Sequence, residues 1–143
     1  MTVNQISAFV ENTPGSLERF TEVLNRNQID MRALSVAETE TFGVVRVIVN
    51  DSYKAACVLK EENYILSVTA VLAVELPDTP GGLYQILRTL READINVEYM
   101  YAFTARRKDV AYMIFRVTDN EKAIEALNSR GIRLLTQNEL EAM

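Results

Sequence analysis

Apolar and polar residues alternate from Gln5 to Glu11, with Ile6, Ala8 and Val10 on one side, which is the period of a half-buried strand. The spacing then changes. Leu17, Phe20 and Leu24 recur at helical intervals, predicting a helix that opens at Thr13-Pro14 and stops near Asn27; Thr offers a cap and Pro suits the first helical position. Ile29 to Glu38 reads as a second strand, Phe42-Gly43 as part of a turn, and Val44 to Val49 as a third strand. Asn50-Asp51-Ser52 supplies caps for a helix carrying Ala55, Val58 and Leu59, and Tyr64 to Val68 reads as a short fourth strand.

The order then repeats. Val71 to Leu76 is a strand, and Leu83, Ile86, Leu87 and Leu90 form a helical stripe. Asn96 to Phe103 and Val110 to Val117 predict a hairpin, Asp119 caps a helix carrying Ala123, Ala126 and Leu127, Gly131 ends it, and Ile132 to Thr136 reads as the last strand. The repeat is also literal. Asn12-Thr13-Pro14-Gly15-Ser16-Leu17 returns 66 positions later as Asp78-Thr79-Pro80-Gly81-Gly82-Leu83, and Ile29-Asp30-Met31 returns at the same shift as Ile95-Asn96-Val97. Lys54 aligns with Lys122 at a shift of 68, so the second hairpin is two residues longer. The pattern predicts an α+β chain of two tandem βαββαβ modules, residues 1–69 and 70–143, each a ferredoxin-like antiparallel sheet with both helices on one face. Tyr64 to Leu76 has almost no turn residues, so the modules are closely joined.

Composition narrows the function. The apolar fraction of 48% supports a packed core rather than disorder. Each half, at roughly 70 residues, is marginal alone. The net charge of −5 disfavours phosphate backbones, so no nucleic-acid partner is expected. Arg106-Arg107-Lys108 is the one basic run and reads as a solvated hairpin tip or a contact for an anionic ligand. Cys57 is the single cysteine, read as a small buried apolar residue or a redox thiol. With no leader-like segment and no stretch long enough to span a bilayer, a cytoplasmic, membrane-free location is expected.

Catalytic chemistry has little material. There is no histidine, which removes the commonest general base and the imidazole metal ligand, and one cysteine cannot build a thiolate cage. Glu38/Glu40, Glu61/Glu62 and Glu139/Glu141 read as solubility charges. No catalytic residue, metal or cofactor is expected, and the chain is not expected to be an enzyme. The duplicated turn instead suits binding. A tight strand-to-helix connection presents backbone amides at the positive end of a helix, a natural place for a carboxylate. Gly15, Gly81 and Gly82 allow close approach to the backbone. Asn12 or Asp78 offers a side-chain acceptor, and Asp30 and Asn96 begin the following strand. An ordinary Pro-Gly turn is the plainer reading.

The Asn/Asp-x-Pro-Gly-x-Leu turn, a helix of some ten residues and then Ile-Asn/Asp-Met/Val, all inside βαββαβ, resembles the ACT domain, and the likeness covers nearly the whole chain as two modules. The resemblance implies a stand-alone tandem regulatory protein that binds a free amino acid at module interfaces, with a homodimer and an enzyme or regulator of amino-acid metabolism as partners. It places ligand contacts at Asn12, Gly15, Ser16, Leu17 and Asp30, and at Asp78, Gly81, Gly82, Leu83 and Asn96. Asp at position 78 favours an ammonium and repels a carboxylate, so the two turns are not expected to be equally occupied. Tyr99, Tyr101 and Phe103 alternate on one strand face, as a sheet-packing stripe or with Tyr99 or Tyr101 lining the pocket of an aromatic, imidazole or bulky apolar side chain. Their counterparts Ala33, Ser35 and Ala37 are small. The alternatives are an interaction module that dimerises or docks on an enzyme without ligand, a small enzyme acting on phosphate esters, and RNA binding on the sheet face.

Overall fold

In the computed structural model, which describes residues 1–103 and 107–143, the elements run β1 (Val3–Glu11), α1 (Ser16–Arg26), β2 (Met31–Glu38), β3 (Phe42–Val49), α2 (Ser52–Glu61), β4 (Leu66–Pro77), α3 (Gly82–Glu92), β5 (Val97–Phe103), β6 (Val110–Val117), α4 (Asn120–Ser129) and α5 (Gln137–Glu141). They fall into one unit of Asn4–Thr69 and another of Met1–Val3 with Ala70–Met143.

In the first unit β3 pairs antiparallel with β1 and β2, setting Ile6 and Leu34 opposite Val47. One face of these strands, with Ile6, Ala8, Val10, Val45, Val47 and Val49, packs on Phe20, Val23 and Leu24 of α1 and Ala55 and Leu59 of α2. The second unit repeats this. Strand β6 pairs antiparallel with β4 and β5, and Leu72, Val74, Leu76, Phe115 and Val117 pack on Ile86 and Leu90 of α3 and Ala123 and Leu127 of α4. Burying the Val, Leu, Ile and Phe side chains among these stabilises by about 1.5–3 kcal/mol each. The α+β composition and antiparallel pairing follow the sequence pattern.

Several local expectations are corrected. The helix expected to open at Thr13-Pro14 begins at Ser16, after a turn, with Gly15 as its N-cap. Phe42-Gly43 lies in β3, and the preceding tip is closed by Thr39, whose N–H and hydroxyl both donate to the Phe42 carbonyl. The two strands expected at Tyr64–Val68 and Val71–Leu76 are one strand, β4, which begins only at Leu66. Ile132–Thr136 forms one bridge, Leu134 opposite Val74, because Thr136 and Glu139 immediately cap each other to start α5. Cys57 is exposed, since α2 turns Ala55, Ala56 and Leu59 inward. Of the basic run, Arg106 lies outside the described residues.

Candidate functional site

Both Pro-Gly turns are built alike. The Ser16 N–H donates to the Thr13 carbonyl at 3.2 Å, and the Gly82 N–H to the Thr79 carbonyl at 3.1 Å. Proline in second place and a glycine of φ 85° (Gly15) or 90° (Gly81) in third is the type II pattern. The first intrahelical bonds follow, Arg19 N–H to Gly15 and Gln85 N–H to Gly81, which leaves the Leu17/Glu18 and Leu83/Tyr84 amides in the opening turns.

The expected contact residues divide. Asn12, Gly15, Ser16 and Leu17 line a cavity of about 400 Å³ with Val36 and Glu38. The Asn12 side-chain amide donates to the Thr39 carbonyl at 3.0 Å, tying the turn to the β2–β3 tip. Ser16 is buried, and its hydroxyl lies 2.7 Å from that of Thr13. Asp30 is elsewhere, paired with Arg32 at the start of β2, its N–H donating to Asn50 Oδ1.

In the second unit Gly81 and Gly82 line a cavity of about 620 Å³ with Thr79, Pro80, Gln85, Asp109 and Arg133. Asp78 and Leu83 flank its lining, and the Asp78 N–H donates to the Asp109 carbonyl. Asn96, Tyr99 and Tyr101 are outside it: Asn96 is exposed at the foot of β5, and Tyr101 is buried opposite Ile114.

A charged cluster absent from the sequence reading stands at this second cavity. Glu75 Oε2 accepts from Arg133 Nη1 at 2.6 Å and from the Tyr112 hydroxyl at 3.1 Å, with Arg107 Nη1 at 3.5 Å. Arg133 Nη2 donates to Glu139 at 2.6 Å. The hydrogen bond to Glu75 raises the Arg133 guanidinium above its ordinary value. Contact with the Tyr112 hydroxyl, then the charge of Glu75, raises Arg107. The Thr136 backbone N–H holds the Glu139 carboxyl below the usual range, so Glu139 is a capping residue rather than a solubility charge. The signal for Glu75 was present, for it is the one charged residue of β4. Among the described residues, no group of three or more His, Cys, Asp or Glu is placed to hold a metal. Nor is any helix there long and apolar enough to cross a membrane.

The family model described as "ACT domain pair" matches residues 1–143. A solved protein from Bacteroides thetaiotaomicron is 35% identical, with a TM-score of 0.93 over 100% of this chain and 98% of that one. The ligand-free regulatory subunit of aspartate kinase from Thermus thermophilus shares the fold at 13% identity and a TM-score of 0.64, over 88% of this chain and 91% of its own. The regulatory subunit of aspartate kinase from Thermus flavus does so at 12% identity and a TM-score of 0.62, over 88% of this chain and 90% of its own. No curated protein matches the chain significantly.

Proposed function

This chain belongs to the ACT domain pair family, and from that premise we propose that it is a regulatory protein that binds a free amino acid at its Pro-Gly turns. The observation that carries the reading is the duplicated turn, with the same hydrogen bond and the same positive-φ glycine in both copies, each beside a cavity. Amides at the turn meet the ligand carboxylate, and nearby side-chain oxygens meet its ammonium. The proposed contacts are Asn12, Gly15, Ser16 and Leu17 in one copy and Asp78, Gly81, Gly82 and Leu83 in the other. Asp30, Asn96, Tyr99 and Tyr101 stand apart from these two cavities, Asp30 lining another of about 500 Å³ with Glu18 and Met31, and they remain proposed contacts of a ligand held elsewhere than in the two cavities. The bound amino acid favours one state of the protein and so reports its own level to a second copy of the chain or to a cytoplasmic enzyme of amino-acid metabolism.

The test is a thermal-shift screen against the common amino acids. A ligand that binds only the folded chain raises the melting temperature by mass action, by about 2.7 kcal/mol of stability at a hundredfold excess over Kd. A second reading, docking without ligand, is favoured by the exposed ring pair Phe9 and Phe42, centroids 5.7 Å apart. Melting temperatures that no amino acid moves would leave that reading in place of the first.

A further inference from the structure

The two units carry the same groove beside the turn, and one copy is less than half the size of the other. In the second unit the groove is the 620 Å³ cavity between the end of β4, the turn, the start of α3 and the segment after α4. Backbone bonds fix its counterpart: Glu75 N–H donates to the Arg133 carbonyl at 2.9 Å, as Phe9 N–H does to that of Ile65 at 3.0 Å. Ile132 N–H donates to Leu127 as Tyr64 N–H does to Leu59. The first-unit groove, lined by Phe9, Ser16, Arg19, Asn63 and Tyr64, measures only about 260 Å³.

Side-chain size explains the difference. Where the second unit has Gln85 and Ile132, the first has the bulkier Arg19 and Tyr64. The Tyr64 ring packs edge-on against Phe20, centroids 5.4 Å apart, and burial raises its phenol pKa. Arg19 lies across the turn, 3.7 Å from where a Gly15 Cβ would stand.

Polarity differs as well. Phe9 and Ile65, both exposed in the first unit, occupy the places that Glu75 and Arg133 hold in the second. Glu75 takes all its described bonds on Oε2 and Arg133 gives its described bonds from Nη1 and Nη2. Among the described residues no hydrogen bond occupies Glu75 Oε1 or Arg133 Nε, the atoms to meet an ammonium and a carboxylate. Beside the polar Thr79, Gln85 and Asp109, six residues (Leu76, Pro77, Pro80, Ile86, Val110 and Ile132) give the cavity an apolar wall, and its volume is in the range of small-molecule sites.

We infer that the chain binds one amino acid, not two, in the second-unit cavity, and that this amino acid has an uncharged apolar side chain. Glu75 and Arg133 grip its head group, and the narrowed first-unit copy does not hold one. The inference rests on the proposed function and narrows it.

The glycines supply the readout. Gly81, Gly82 and Gly131 line the second cavity, whereas Gly15 and Gly43 line the separate first-unit turn cavity. Titrating the intact chain with leucine, valine, methionine and phenylalanine is expected to move the amide NMR signals of the first three, leave the last two in place, and saturate at one ligand per chain. Glu75→Gln is expected to weaken binding by about tenfold or more, the loss of one charge-assisted contact. The pair Gln85→Arg with Ile132→Tyr, which copies the first unit's filling residues, is expected to abolish it. Tyr53→Ser, on the exposed side of α2 away from both cavities, leaves affinity and stoichiometry unchanged. If no common amino acid moves any signal, the proposed function falls and this inference with it. If Gly15 or Gly43 moves, two ligands bind, a charged or polar amino acid binds more tightly, or the filled variant binds like the parent, this inference falls and the proposed function stands.

Discussion

A Cβ built on Gly82 would lie 2.5 Å from the Pro77 carbonyl oxygen, whereas one on Gly81 meets nothing within 4 Å. Gly82 is therefore required by packing and Gly81 by its φ of 90°. Gly82→Ala is expected to destabilise by about 1–3 kcal/mol through backbone overpacking, and Gly81→Ala by about 1 kcal/mol through left-handed strain; urea unfolding midpoints measure both. Gly131→Asn is expected to be near neutral, because Asn63 already holds the equivalent place at φ 66° in the first unit, where Gly131 has 71°. These residues mark how far the site was legible. The turns could be read because Pro-Gly constrains the backbone locally. Glu75 and Arg133 could not be joined from the sequence, since they meet only when the segment after α4 lies along β4. Gly82, which stands where the first copy has Ser16, looked like open access to the backbone, when a carbonyl already fills that space.

The helices of each unit are clamped by an ion pair, and the two copies wear it with opposite signs. Arg26 at the end of α1 pairs with Glu62 just beyond α2, whereas Glu92 at the end of α3 pairs with Arg130 just beyond α4 at 2.5 Å. An exchange of partners between the copies would set Arg26 against Arg130 and Glu92 against Glu62. Like charges there disfavour mispairing of duplicated helices even where each pair adds little stability. Arg26→Glu is expected to lower stability by about 1 kcal/mol or less, and Glu62→Arg in that background to restore it, as a double-mutant cycle in urea would read. Helices and strands with a clear apolar period were legible. The ends were not, where turn chemistry overrides the period. Proline and glycine before α1 make a type II turn rather than a first helical turn. The apolar run Ile132–Thr136 alternates like a strand, yet Thr136 and Glu139 carry a capping-box spacing that ends it.

The whole chain has no histidine and twenty acidic side chains against fifteen basic, so its acid response belongs to carboxylates. Two have folded-state pKa values below the ordinary range: Glu92, held down first by its hydrogen bond to Arg88 and then by Arg130, and Glu139, held down first by the Thr136 backbone N–H. A carboxyl depressed on folding contributes stability that is fully present above its unfolded value, about 4.3 for Glu. As pH falls, the unfolded chain takes up the proton first, and the contribution is gone once the folded carboxyl is protonated as well. Arg88, Arg107 and Arg133 are shifted upward and stay charged throughout, so they add no slope in this window. The urea midpoint is therefore expected to stay level between about pH 5.5 and 7, where Glu and Asp are ionised in both states, and to fall below that. Glu92→Gln and Glu139→Gln should each make the acid fall shallower while lowering the neutral-pH midpoint slightly. An unfolding midpoint that already drops between pH 7 and 5.5, or an acid slope that neither variant reduces, would show that the two clamped carboxylates are not what the fold loses in acid.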